Sequence, residues 1–272
     1  SPQNEDAPKR YNLPGNEINY DHRFAHQFFQ MAADMTPRAP DSDILNDLHN
    51  HVLASDFSFN QMGAKAGVKM YGDRAVNAIV SEYKQLDDKM AFKPRAVAQL
   101  TKMERERALR SITLIKEKRC GTIKGRTVAD GRPQRALYTK EETTSPTVST
   151  DALLLSLLVD AHEKRDVATA DVAGAYLHAK LLDFTLLKLE GDAVDIMCEV
   201  NEGYRKFVTY EHGRKVLYLQ LLKALYGCVQ SALLWYELFS GSLMGMGYKL
   251  NPYDTCIANK MVNGKQCTIA WY

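Results

Sequence analysis

The alternation of apolar and polar positions separates a polar leader from a patterned body. Residues 1–72 read as an irregular leader or linker, broken at Pro14-Gly15, Pro37 and Pro40, with a short helical hint in HRFAHQFFQMAADM. From Asp73, RAVNAIVSEYKQLDDK places Val76, Ile79, Val80 and Tyr83 at offsets of three, four and seven, which predicts an amphipathic helix. MERERALR, residues 103–110, predicts a second, shorter helix. SITLIKEK and IKGRTVAD then flank Cys120-Gly121-Thr122 as the strands of a hairpin whose polar face is lysine and arginine. Thr150-Asp151 caps a strongly apolar helix, DALLLSLLVDAHEKR, and VATADV reads as a strand ending at Asp171.

The pattern continues with a strand in FTLLKLEG, a short helix in DAVDIMCEVN, and a hairpin of KFVTY and KVLYLQL about His212-Gly213-Arg214. Residues 229–247 predict a long helix with Trp235, Leu238, Phe239, Leu243 and Met246 inward. CIANKMV and KQCTIAWY close the chain around Asn263-Gly264, the strongest short-range hairpin signal in the sequence. Helices mixed with antiparallel hairpins predict an α+β fold in preference to a doubly wound one.

Composition adds limits to this picture. With 272 residues and 45% hydrophobic content, the chain is long enough for one large domain or two modest ones. It has no window of about 18 uncharged apolar residues. SPQNEDAPKR lacks the basic-then-apolar order of a signal peptide. The expectation is a soluble intracellular protein, cytoplasmic or nuclear, not secreted and not membrane-bound. Ser1 at the start and the halt inside the apolar run TIAWY lead us to expect a piece of something longer. Five scattered cysteines without a C-x-x-C pair read as free thiols. His22 and His26 have metal-ligand spacing, but Arg23 stands where a zinc-protease motif needs Glu, and His49 and His51 have no supporting pattern.

Charge is more informative. The net charge is only +2, yet Lys93 to Arg135 holds thirteen Lys/Arg against four Asp/Glu, so this segment carries +9 and the remainder −7. Its interleaving with apolar residues predicts a folded basic surface able to meet phosphates. Asp171 carries the first chemical signal. A carboxylate ending a half-buried strand loses solvation, which either invites a divalent cation or leaves the side chain to cap the next turn.

Asp171-Val172-Ala173-Gly174-Ala175-Tyr176 resembles the catalytic strand of reverse transcriptases. DVAGAYLHA, then LKALYGCVQSALLWY, then a hairpin with NGKQCTIAWY, in that order, resembles the copia-type retrotransposon reverse transcriptase, an RNA-directed DNA polymerase. LIKEKRCGTIKGRTVADG resembles the family's fingers hairpin, and TSPTVS its link to the palm. The likeness spans roughly residues 75–272. It implies a right-hand architecture with a fingers-like part at 73–165, a partial palm at 166–272, and no thumb.

The resemblance implies roles as well. Asp171, with the Val172 backbone carbonyl, would bind catalytic magnesium in a two-ion site, and Tyr176 would lie beneath the sugar and exclude a ribose 2′-hydroxyl. Arg126 would clamp the triphosphate with Lys116 or Lys118 as companion, the choice between them staying open. Tyr226-Gly227 would lead into a helix behind the nascent base pair, and Gln230 fits that segment. Implied partners are an RNA or DNA template-primer, deoxynucleoside triphosphates and other parts of a retroelement polyprotein. Cys228-Val229 and Asp130 depart from the family pattern, as does the lack of Pro before Trp235. The family continues from such a hairpin into Val-Asp-Asp, which supplies further metal carboxylates. The 272 residues alone are therefore expected to lack polymerase activity. The alternative is a catalytically dead remnant that only binds nucleic acid or a partner chain.

Overall fold

Alternation along Leu109–Glu117 and Ile123–Ala129 matches two pleated strands, and in the computed structural model, which describes residues 61–118 and 120–272, they pair as an antiparallel hairpin. Ser111 lies opposite Ala129 and Glu117 opposite Ile123. We number the strands β1 (Gln61–Gly63), β2 (Phe92–Arg95), β3 (Leu109–Glu117), β4 (Ile123–Ala129), β5 (Leu186–Glu190), β6 (Thr209–Glu211), β7 (Arg214–Leu221), β8 (Lys249–Leu250), β9 (Ile257–Val262) and β10 (Lys265–Ala270). The helices are α1 (Ala64–Tyr71), α2 (Asp73–Asp88), α3 (Lys102–Glu106), α4 (Thr150–His162), α5 (Asp192–Val200) and α6 (Ser231–Gly245).

Seven strands form the main sheet, in the order β1-β3-β5-β7-β2, with β4 on β3 and β6 on β7; only β3 and β5 pair in parallel. Helices α1, α2 and α5 pack on it. The core between them holds Ile79, Tyr83, Leu86, Ile115, Leu187, Leu189, Met197, Leu217 and Leu219, all buried. A three-stranded sheet, β10-β9-β8, carries α6 and a second core of Phe239, Leu243, Tyr248 and Ala258. The fold is thus α+β, with hairpins at His212-Gly213 and Asn263-Gly264 where the sequence predicts them. Each turn pair has positive φ at both positions, as a type I′ turn requires.

Several expectations need correction. Residues 61–71 are not irregular leader. Met62 lies opposite Ile115, and Met62, Ala64, Val68 and Tyr71 pack on the main core. The helical hint at 22–35 and the histidines His22, His26, His49 and His51 lie outside the described residues. The second helix stops at Glu106, because Leu109 is drawn into the sheet beside Leu187, where it is buried. In α2 the buried stripe is Ala75, Ile79, Tyr83 and Leu86, so Val76 and Val80 sit at its margin.

VATADV forms no strand. Residues 165–172 are irregular, and among the described residues their backbone has no ladder partner. Alanine at 168 and 170 offers too little apolar area to hold a strand against a sheet. The apolar helix predicted after Thr150 is present as α4, capped by Ser149, whose side chain accepts from the Ala152 N–H, yet none of its residues is buried. Leu155 is 63% and Leu158 68% exposed. Strands from both sides of residues 165 and 166 share the main sheet, since β5 and β7 join β3 in it. Among the described residues no helix is long and apolar enough to cross a membrane.

Candidate active-site cleft

A cleft of about 590 Å³ opens where the β3–β4 hairpin, α2, the 3-10 turn Ala175–His178, the loop before α6 and the end of β10 meet. The hairpin supplies Lys124 and Arg126, two exposed residues on one face of β4. Gly125 between them faces α2 so closely that a Cβ there would lie 2.7 Å from the Ala78 carbonyl oxygen. This contact brings Glu82 to the outer edge of β4, where its Oε1 accepts the Thr127 N–H at 2.9 Å. Burial pushes the Glu82 carboxyl above the usual range, partly offset by that hydrogen bond and by the fields of Lys124 and Arg126.

Asp171 lines the same cleft, exposed, in the irregular segment. The expectation that it loses solvation at the end of a strand is not met; three contacts take the place of strand pairing. Val172 packs on the second core, against a cluster in which Trp235 stacks on Phe239 at 5.4 Å and Trp271 meets Phe239 edge-on at 5.2 Å. The Lys89 ammonium donates to the Ala173 carbonyl at 3.1 Å. Burial and, after it, the nearby Lys223 lower the Lys89 pKa. Gly174 adopts the left-handed conformation, φ 63° and ψ 43°, and turns the chain into the 3-10 helix, whose Leu177 is buried in the main core.

That turn presents Tyr176, whose ring stacks on Tyr226 with centroids 5.4 Å apart, and the Arg126 guanidinium lies 4.9 Å from the Tyr226 centroid on β4's side. Burial raises the Tyr176 pKa, with Tyr226 adding to the shift and Arg126 opposing it. Two glycines set this approach. A Cβ on Gly131 would fall 2.0 Å from the Gly227 oxygen, and one on Gly227, at φ 96°, would fall 2.0 Å from the Ala129 oxygen. The Ala129 N–H donates to the Tyr226 carbonyl at 2.8 Å. Buried Gln134 accepts the Val229 N–H at 3.2 Å and continues the seam.

Of the residues singled out from sequence, Asp171, Val172, Tyr176, Arg126 and Tyr226 line the cleft together. Gly227 and Gln230 sit behind it, Gln230 as the residue before α6, and neither is in its wall. Lys116 lies opposite Lys124 across the hairpin, and Lys118 follows β3; both are exposed and outside the wall. Sequence reasoning missed Lys124, Glu82 and the Gly131–Gly227 contact. Strand alternation in IKGR was the available signal for Lys124, two residues from Arg126. Glu82 gave no such signal, because its placement depends on how α2 meets β4.

Among the described residues no three His, Cys, Asp or Glu side chains stand close enough to share an ion. The carboxylates of the cleft wall are Asp171 and Glu82. Asp171 and the Val172 carbonyl are hard oxygen donors, suited in kind to magnesium but too few for a whole coordination shell.

A family model described as reverse transcriptase (RNA-dependent DNA polymerase) matches residues 93–272. No curated protein and no solved structure matches the chain at a significant level.

Proposed function

We propose, since this chain belongs to the reverse transcriptase (RNA-dependent DNA polymerase) family, that the cleft is its nucleotide site and that the chain comes from a copia-type retrotransposon polyprotein. Residues 73–165 act as fingers and 166–272 as part of a palm, sharing one sheet. The observation that carries the reading is convergence. Asp171, Arg126 and Tyr176, from separate stretches of sequence, line one cavity.

The residues divide the substrate between them. Arg126 and Lys124 meet the triphosphate, the arginine through paired N–H donors. Tyr176 lies under the sugar, and Asp171 faces the phosphate at which the primer hydroxyl attacks. Asp171 and the Val172 carbonyl would hold magnesium, which when bound neutralises the phosphates and stabilises the attacking and leaving oxygens of the displacement. The template-primer runs over the basic hairpin.

Equilibrium binding of dCTP with magnesium tests this. The wild type should bind saturably, Arg126→Gln should bind about tenfold more weakly, and Asp171→Asn should lose the magnesium-dependent part. An Arg126→Gln protein that binds as well as wild type would overturn the assignment. A second reading, binding without catalysis, is favoured by a cleft wall with two carboxylates, Asp171 and Glu82, and, among the described residues, no group of three His, Cys, Asp or Glu that could hold an ion. Under it the 272 residues bind nucleotide but incorporate none into a primed template, which a labelled-nucleotide assay decides.

A further inference from the structure

We propose that Tyr226 is a positioning residue, an aromatic splint that holds the Arg126 guanidinium ready for phosphate and couples it to the ring of Tyr176. The inference rests on the nucleotide-site reading and extends it to a residue that need not touch the phosphates.

Three flat groups lie in one stack. The Arg126 guanidinium is 4.9 Å from the Tyr226 centroid, and the Tyr226 ring is 5.4 Å from that of Tyr176 at 29°. Tyr226 is 50% exposed, so burial of its ring is not what fixes it there. The backbone does. Its carbonyl accepts the Ala129 N–H, and the next residue, Gly227, is wedged against Ala129 and Gly131 with no space for side chains. Ala129 ends the strand that carries Arg126, so ring and guanidinium are referred to one piece of backbone.

The chemistry of the contact matters. An arginine at the rim of a cleft loses rotamer entropy when it closes on a ligand. A carboxylate partner would remove that cost by occupying the same N–H donors that a phosphate needs. Among the described residues Arg126 makes no ion pair. An aromatic face orients the guanidinium through its π surface and leaves the donors at its edge free. The Tyr226 ring also stacks on Tyr176. Loss of the splint therefore loosens both the anion clamp and the sugar-side ring.

The test measures binding of inorganic tripolyphosphate, dCTP and CTP to the full chain carrying Tyr226→Leu, Tyr226→Phe, Arg126→Gln, or Tyr226→Leu and Arg126→Gln together. Tyr226→Leu should weaken tripolyphosphate about fivefold and narrow the preference for dCTP over CTP, while Tyr226→Phe keeps both. In the Arg126→Gln background the leucine change should have no further effect on tripolyphosphate. If wild type binds and Arg126→Gln weakens it but Tyr226→Leu does not, the splint is refuted and the nucleotide site stands. A leucine effect that persists at full size without Arg126 also refutes it. If wild type binds none of the three ligands, both readings fall. Tyr226→Leu removes a half-exposed ring, and an unchanged unfolding midpoint confirms that the comparison is between folded proteins.

Discussion

At the residue scale, Glu82 places a carboxylate beside the two cations that would receive a triphosphate. It would compete with a triphosphate bound there. Its pKa is raised, chiefly by burial. For a carboxyl raised in the folded state, stability is fullest below the ordinary carboxyl range and is lost as pH climbs through the folded value. Glu82→Gln keeps an acceptor for the Thr127 N–H and removes the charge. The variant should gain stability at pH 7 relative to wild type and lose the advantage near pH 4, as urea unfolding at both values would show. It should also bind dCTP a few-fold more tightly at pH 7, and wild-type affinity should approach the variant's as Glu82 protonates. Residues of this kind are hard to read from sequence. Lys124 and Arg126 share a strand face by simple alternation, but nothing in SEYKQ marks which polar position meets a strand edge. That depends on Gly125, whose missing Cβ lets α2 approach.

At the element scale, the segment around Asp171 shows how a stretch of chain departs from its own pattern. VATADV alternates as a strand does, yet Ala168 and Ala170 cannot anchor it, and its position comes from neighbours the sequence does not reveal: the Trp235–Phe239–Trp271 cluster under Val172 and the Lys89 ammonium on Ala173. Lys89→Met should raise amide exchange at Val172–Gly174 while costing only about 1 kcal/mol globally, which hydrogen-exchange mass spectrometry would resolve. The glycine seam predicts a larger effect. Gly227→Ala meets both a positive φ and a carbonyl 2.0 Å from the new carbon, so a loss of roughly 3 kcal/mol or more is expected in urea unfolding. Gly264→Ala, also at positive φ but with open space around it, isolates the φ cost alone and should lose about 1 kcal/mol. The leucines of α4 look like core in the sequence, but the helix is exposed, and Leu158→Ser should change stability by less than about 0.5 kcal/mol.

At the scale of the whole molecule, hairpins and long helices were legible because turn chemistry and periodicity are local. The union in one sheet of strands from both sides of position 165 was not legible. It hangs on Leu109 and Arg110 pairing in parallel with Leu187 and Lys188, almost eighty positions away, a contact no local pattern announces. Charge asymmetry was legible, and it bears on polyanion binding. The +9 segment includes the hairpin, where Arg110, Lys116, Lys118, Lys124 and Arg126 are all exposed. Only Lys124 and Arg126 reach the cleft, which leaves Lys116 and Lys118 on an open surface suited to a polyanion longer than a nucleotide. Phosphate contacts release counterions, so binding of a mixed-sequence RNA–DNA duplex should fall steeply with salt and depend little on sequence. Replacing Lys116 and Lys118 together by Gln should reduce the log–log salt slope by about 2. The same change should leave dCTP affinity within about twofold, since both sites lie beyond the cleft wall. If dCTP affinity falls as far as duplex affinity, one of these lysines reaches the triphosphate after all; if neither falls, the hairpin does not meet nucleic acid.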